Sequence, residues 1–392
     1  MRGTNSRIQP MNRKVLMVST TSRWLGTARM PRSLARAGFQ VALLAPRGAL
    51  GLRSRFVARP GVVADGATPM QWLFALLSMI NEVDPVLLVP CDEVAIRLLF
   101  ELVRRPPPQL GEGAVTRVRD LVVRSLGDPA YYETSIDKTL LPVAAEALGV
   151  PVPRYAIVER VDEAAAHAES IGYPVVLKRR YGFAGEGNAI LEDANGLRAA
   201  ANALLRPMQL DLGERLQPRL LVQKFVEGKT CSRTMVAWNG EPLAGFSHER
   251  EVAFRSGKGA SAVVHLRRLP AIRDFTERMC RAFGMTGFFS VQYITPDGGG
   301  DPVLLEINRR IVTFMHLDEY CGVNLPGALF QRLAGVPQTV HADMPTDDAG
   351  IVATFPREWL RDPESSWLRD APSDLPWDDP EVLDALVALR HE

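Results

Sequence analysis

The chain has 392 residues, with 46 Lys and Arg against 45 Asp and Glu. That near-balance, with no long basic run, argues against a general nucleic-acid binder. Its four cysteines (Cys91, Cys231, Cys280 and Cys321) lie far apart, showing neither metal spacing nor a disulfide framework, as expected of a cytoplasmic protein. The apolar stretch around Trp72 to Ile80 is too short to span a bilayer, so no membrane partner is expected. The first ten residues are polar and basic, without the apolar core of a signal peptide; they read as a leader, with Met11 as an alternative start.

Val15 to Val18 is a short apolar run ending in Ser19-Thr20-Thr21-Ser22. A helix from about Thr27 to Ala37, closed by Gly38, leads to a second strand over Phe39 to Leu44. Strand–helix–strand implies a parallel sheet. A helix over Met70 to Asn81, a strand at Val86 to Val89 and a helix from Glu93 to Arg104 continue the pattern until Pro106-Pro107-Pro108 breaks it. Residues 1–128 therefore read as one α/β domain. Beyond Gly127, a helix spans Asp137 to Leu148. Strands follow at Tyr155 to Val158, Val175 to Lys178 and Ala189 to Leu191, then a helix from Asp193 to Leu205 and a strand at Leu220 to Phe225. Gly228 marks a boundary, so 129–228 reads as a second unit. Thr234 to Trp238 and Leu243 to His248 form a hairpin on Asn239-Gly240. A helix at Ala271 to Phe283 precedes strands at Phe288 to Ile294 and Val303 to Ile307, which closes a third unit at about residue 335. Residues 336–392 read as a weakly patterned tail, and no internal repeat is evident.

The strand ending in Glu306-Ile307-Asn308-Arg309-Arg310 carries the clearest chemistry. Strand side chains alternate, so Glu306, Asn308 and Arg310 share a face. Two oxygen ligands beside a fixed cation suit a hard divalent ion and the phosphates it holds. Gln292, one hairpin away, falls beside Glu306 as a third oxygen, although an ordinary polar strand face explains Gln292 equally well. Lys178 closes its strand before Gly182, Gly185, Glu186 and Gly187, a loop whose glycines let backbone N–H groups approach phosphate oxygens. It is neither a Walker loop nor a dinucleotide fingerprint, and a bare surface loop is the competing reading. Gln223, Lys224, Phe225 and Val226 read as a buried strand running into a turn, or as a hinge whose backbone meets an adenine edge. His248, Arg255, Lys258 and Ser261 surround Gly257 and Gly259; they read as a loop folding over an anionic substrate, or as a solvated basic hairpin.

In this order, these motifs resemble the ATP-grasp superfamily, in particular its carboxylate–amine ligase and carbamoyl-phosphate-synthase-like branch, over roughly residues 14–335. The resemblance implies an N-terminal parallel-sheet (pre-ATP-grasp) domain followed by a two-subdomain ATP-grasp fold, mixing α/β and α+β. It implies ATP with Mg²⁺ (or Mn²⁺) as cofactors. Lys138 and Lys178 would contact phosphates beneath the Gly182 to Gly187 loop, with Gln223, Lys224, Phe225 and Val226 at the adenine. Glu306, Asn308 and Gln292 would hold the metal, Arg310 would face the transferred phosphate, and Arg255 would lie near the acceptor. Two departures stand out: Arg309 replaces the family's usual proline, and Thr230 stands where a ribose-contacting glutamate is common. The implied reaction joins a small-molecule carboxylic acid to an amine, amino acids among them, through an acyl phosphate, in a chain that could be a homodimer. A non-catalytic ATP-binding module and a bicarbonate-using carboxylase or carbamoyl-type enzyme are the alternatives.

Overall fold

The structure, a computed structural model, describes residues 12–106, 111–182, 187–206, 208–209, 215–255 and 258–391. Strands β1 (Lys14–Val18), β2 (Gln40–Pro46), β3 (Val57–Val63) and β4 (Leu87–Pro90) form a parallel sheet in the order β3-β2-β1-β4. Helices on both faces cover the central strands, so β1 and β4 are continuously apolar rather than alternating. β3 escaped the sequence reading because Arg59-Pro60-Gly61 interrupts it; Pro survives there because β3 is an edge strand. The helix Glu112–Leu126 was also missed, hidden behind the proline run. Asp92 fixes the loop after β1: its carboxylate caps the helix Glu93–Arg104 through Ala95 N–H and accepts from Ser19 Oγ at 2.9 Å and Thr20 Oγ1 at 2.7 Å.

The expected helix over Asp137 to Leu148 is shorter. Tyr132–Ile136 and Leu141–Ala147 are helical, and Asp137 separates them by turning its carboxylate onto Thr139 N–H and Oγ1. β5 (Tyr155–Val158), β6 (Val175–Arg179) and β7 (Asn188–Leu191) build a second, antiparallel sheet. After the small hairpin of β8 (Met208–Gln209) and β9 (Arg215–Leu216), β10 (Leu220–Lys224) completes it in the order β5-β10-β6-β7. The alanine-rich helix Val161–Ile171, unforeseen in the sequence, and the helix Ala194–Leu204 pack on its one apolar face.

The third sheet is antiparallel, in the order β15-β14-β11-β12-β13-β16. It comprises β11 (Gly228–Trp238), β12 (Glu241–Arg255), β13 (Lys258–Arg267), β14 (Gly287–Pro296), β15 (Val303–Asn308) and β16 (Asp348–Ala353). Gly228 opens β11; a Cβ there would lie 2.1 Å from the Thr295 carbonyl oxygen, so only glycine fits. The Arg255 to Ser261 segment is not a free loop, because β12 and β13 carry their ladder out to Arg255 and Lys258. Residues 256–257 lie outside the described residues. The segment read as a tail supplies β16, which pairs with β13, and the helix Pro380–Ala388, which packs near Ala28 and Leu50. Buried Asp374 holds it in place, taking Arg29 Nη2 at 2.8 Å, His316 Nε2 at 2.6 Å and the Phe355 N–H. Among the described residues no helix is long and apolar enough to cross a membrane.

One hydrophobic cluster runs from Val15, Met17 and Leu43 through Ile311 and Phe314 to Val236, Phe246 and Val264, joining the first and third sheets. The second sheet has a separate core around Val158, Val175, Leu177 and Val222. We therefore expect native-state hydrogen exchange to find a cooperative opening of residues 155–224 that costs less than that of the shared core, by about 2 kcal/mol or more. Equal protection of β10 and β1 amides would contradict this division.

Candidate active site

The second and third sheets face each other with polar residues. On the second, Lys178 pairs with Leu221 and Val176 with Gln223, so Lys178 and Gln223 share the face opposite the apolar core. They lie about 7 Å apart along the strand direction. Lys178 is 7 % exposed, and burial, with Lys138 nearby, pulls its pKa down to about 8 while Glu306 resists. Its ammonium therefore lacks a full counter-charge, which an anionic ligand would supply. Gly182 and Gly187 bracket the tip of the β6–β7 hairpin, where Arg179 N–H donates to the Gly187 carbonyl at 2.9 Å. Gly185 and Glu186 lie outside the described residues.

On the third sheet, hydrogen-bond register places Glu306, Gln292, Ser232 and His248 in one cross-strand row. The Gln292–Glu306 pairing is the one the hairpin spacing led us to expect. The Glu306 side chain keeps 31 % of its surface open. Burial opposes its ionisation, but Lys138, Lys178, the Asn308 amide and Arg310 outweigh that and hold its pKa below the usual carboxylate range. Lys138 Nζ lies 3.8 Å from Glu306 and 3.4 Å from Asn188 Oδ1 of β7, spanning the two sheets. Asn308 Nδ2 donates to Glu306 at 3.2 Å, and Arg310 donates to Asn308 Oδ1 at 2.9 Å. Arg310 is itself anchored by Glu93 at 2.9 Å and lies over the Trp24 ring at 4.6 Å. Glu93 and Trp24 carry no motif, so their part in fixing Arg310 was not legible in the sequence.

Arg309 faces the other way. It is 2 % exposed and donates to Ser135 Oγ at 3.2 Å and to the Leu126 carbonyl, with burial pulling its pKa down to about 10. The residue that departs from the family pattern thus ties the end of β15 to the N-terminal region, and Arg310 keeps its place on the cleft side.

The hinge residues lie at the end of β10. Lys224 N–H donates to Arg154 O at 2.8 Å and Phe225 N–H to Pro174 O at 3.2 Å. Lys224 Nζ is held by the carbonyls of Gly172 and Tyr173 at 2.9 and 3.1 Å, so its charge serves the strand junction. Phe225, Val226 and Thr230 are half-buried, and Thr230 pairs with Ile294 in β11.

The side chains of Arg255 and Lys258 are outside the described set. Ser261 accepts from Arg250 Nε at 3.3 Å. His248 is 3 % exposed and neutral, its pKa pulled down to about 4 by burial and Arg250. Sequence reasoning missed Arg357, which follows β16: it reaches Thr313 Oγ1 at 2.8 Å and Ser261 O at 3.4 Å. Burial pulls its pKa down to about 10, with the Asp374 charge opposing this in part. A second oxygen-rich group, Glu249, Glu251 and His265, lies within 4.8 Å. Lys229 Nζ already sits in it, 2.6 Å from Glu251 and 3.3 Å from Glu249.

Residues 216–354 match the family model described as ATP-grasp in the biosynthetic pathway with Ter operon. The carbamoyl phosphate synthase large chain of Thermus thermophilus is 26 % identical over 235 residues, 58 % of this chain and 22 % of that protein. Among solved structures, the biotin carboxylase domain of Hydrogenobacter thermophilus 2-oxoglutarate carboxylase, bound to MgADP, ADP and bicarbonate, superimposes with a TM-score of 0.63 at 18 % identity, covering 88 % of this chain and 74 % of that one. Over residues 216–354 the chain is similar to this ATP-grasp family, and its fold is that of the biotin carboxylase domain. A second structural neighbour is carboxyaminoimidazole ribonucleotide synthase from Aspergillus clavatus complexed with ATP (TM-score 0.60, 17 % identity, 85 % and 80 % covered). The chain spans about a fifth of the length of the curated relatives it matches.

Proposed function

We propose that the protein is an ATP- and Mg²⁺-dependent ligase that joins a carboxylate to an amine through an acyl phosphate. The observation that carries this reading is the cleft itself: Lys138 and Lys178 on one side, Glu306, Asn308 and Arg310 on the other, with Lys138 3.8 Å from Glu306.

A carboxylate resists attack by an amine because it has no good leaving group. Transfer of the γ-phosphoryl of ATP onto its oxygen supplies one. The amine then forms the C–N bond as the C–O bond to phosphate breaks, and the amine proton leaves to solvent. Such transfer needs alignment and charge neutralisation more than covalent help. Lys138 and Lys178 would hold the phosphates, with Gly182 and Gly187 at the base of the covering loop. Gln223, Lys224, Phe225 and Val226 would border the adenine, and Thr230 would stand near the ribose. Arg310, locked by Glu93 and Trp24, would face the transferred group without having to reorganise.

The donor set fits Mg²⁺: Gln292, Glu306 and Asn308 offer hard oxygens from neighbouring positions of paired strands, and Glu306 is held ionised. Bound there, the ion would neutralise charge on the phosphate oxygens. Arg250 and Arg357, converging on Ser261, would meet the acid's carboxylate.

ADP release should be screened over carboxylic acids with hydroxylamine present. We expect ADP, phosphate and a hydroxamate that depends on the acid. AMP and pyrophosphate would indicate adenylation and sink the proposal; bicarbonate-dependent ADP release without hydroxamate would favour a carboxylating enzyme.

A further inference from the structure

Lys138 and Lys178 are both buried, and they lie near enough for the Lys138 charge to bear on Lys178. Like charges repel, so their closeness has to be imposed. They also come from different parts of the fold. Lys138 sits between the helices Tyr132–Ile136 and Leu141–Ala147. The first of these is fixed to the N-terminal region, where Tyr132 stacks on Phe100 with ring centroids 4.0 Å apart. The second shares a core with Met235 and Phe289 of the third sheet through Leu141 and Ala145. Lys178 belongs to β6, whose core is the separate one under the second sheet.

Asp137 and Arg180 join these two segments. Asp137 is 0 % exposed, and its carboxylate takes three hydrogen bonds. One oxygen accepts from Thr139 N–H at 2.8 Å and Thr139 Oγ1 at 2.7 Å; the other accepts from Arg180 Nε at 2.7 Å. Arg180 follows Lys178 by two positions, and its own carbonyl accepts the Lys138 N–H at 2.9 Å. Arg180 thus grips Asp137 by its side chain and Lys138 by its main chain. Tyr181 adds a second tie by donating to Glu133, with the Arg97 guanidinium 5.5 Å from its ring centroid. A pair this enclosed is screened far less by salt than a surface one. Asp137, wholly buried, is out of reach of any ligand in the cleft.

Resting on the phosphate-binding part of the reading above, we propose that Asp137 and Arg180 are positioning residues. Their ion pair latches Lys178 of the second sheet to Lys138, so that the two ammoniums present one preformed site to adjacent phosphates of ATP. Asp137 acts through Lys138, and the arrangement is in place before the nucleotide arrives.

Affinities for ATP and for adenosine should be measured on the full chain, by displacement of a fluorescent ATP analogue. The parent should bind ATP far more tightly than adenosine. Asp137→Asn keeps an oxygen for Thr139 and removes the charge that holds Arg180, whose side chain is 20 % exposed and can turn to water. ATP affinity should fall by about tenfold, with adenosine affinity within about twofold of the parent. Lys138→Ala should give a similar loss, and adding Asp137→Asn to it should cost less than about twofold more. Arg180→Lys, which keeps a cation and the carbonyl, should stay within about threefold of the parent. Arg180→Gln should repeat the tenfold loss, a second route should Asp137→Asn fold poorly. Equal losses for ATP and adenosine would reduce the ion pair to general stabilisation. Losses that add to those of Lys138→Ala would separate Asp137 from Lys138, and parental ATP affinity in the variants would show the latch to be idle. Each of these results overturns the proposal, as does a parent that binds ATP no more tightly than adenosine. Tight ATP binding without turnover on any acid would sink the ligase reading alone.

Discussion

Glu306→Ala should cut magnesium-dependent ADP release by about two to three orders of magnitude while leaving the protein folded. The side chain is 31 % open to solvent and lines a cleft, so truncation leaves no void in a packed core. Its electrostatic role is larger. Glu306 faces both Lys138 and Lys178, and among the described residues it supports Lys178 against burial and a neighbouring ammonium. Without it, the proposed metal site would lose its charged ligand and the Lys178 pKa would move further below about 8. We expect ADP release to fall by about 10²–10³-fold, the scale seen when one preorganised charge contact is lost from a reacting site. Far-ultraviolet circular dichroism and the unfolding midpoint should match the parent. Full activity in the variant would remove the metal from this site.

Asp374→Ala should cost about 3–5 kcal/mol of stability, because it strands the buried Arg29 guanidinium and the Phe355 N–H. Urea unfolding would measure it, and a loss under about 1 kcal/mol would show that the C-terminal segment is not locked by this contact. The pH dependence has a definite sign. Burial raises the Asp374 pKa, but Arg29 and His316 overcome this and hold it well below the ordinary carboxylate range. Its contribution is therefore complete above the unfolded value, about 4, and is lost as pH falls towards the folded one. His316 is lowered by burial and then by Arg29, so the unfolded chain takes up its proton first, and stability also declines as pH falls below about 6.5. The variant should lose the Asp374 part of that acid limb.

The legible part of the site was written in strand alternation. Glu306, Asn308 and Arg310 could be placed on one face, and Gln292 beside them, because a period of two and a short hairpin leave little freedom. The same logic failed where side chains reach across the chain. Arg357, Glu93 and Trp24 have no local pattern, and their positions follow from how β16, the helix Glu93–Arg104 and the loop after β1 pack. In the fold, the helices Glu112–Leu126 and Val161–Ile171 were lost for different reasons: one begins just past a proline run, the other buries small alanines that give a weak apolar signal. The glycines between Arg255 and Ser261 suggested a loop, but the hydrogen-bonded ladder of β12 and β13 runs up to them.

The separate core under β5, β6, β7 and β10 has a thermodynamic consequence. Lys178 and Gln223 ride on the part of the molecule expected to open at the lower cost, whereas Glu306, Asn308 and Arg310 lie on the sheet that shares a core with the N-terminal one. A ligand that touches both stabilises the closed arrangement by RT ln(1 + [L]/Kd), about 2.7 kcal/mol at a hundredfold excess over Kd. That whole quantity is added to the cheapest opening of the chain. Occupancy is thereby converted into stiffness, and the protein would signal a filled site through the slowing of its own breathing.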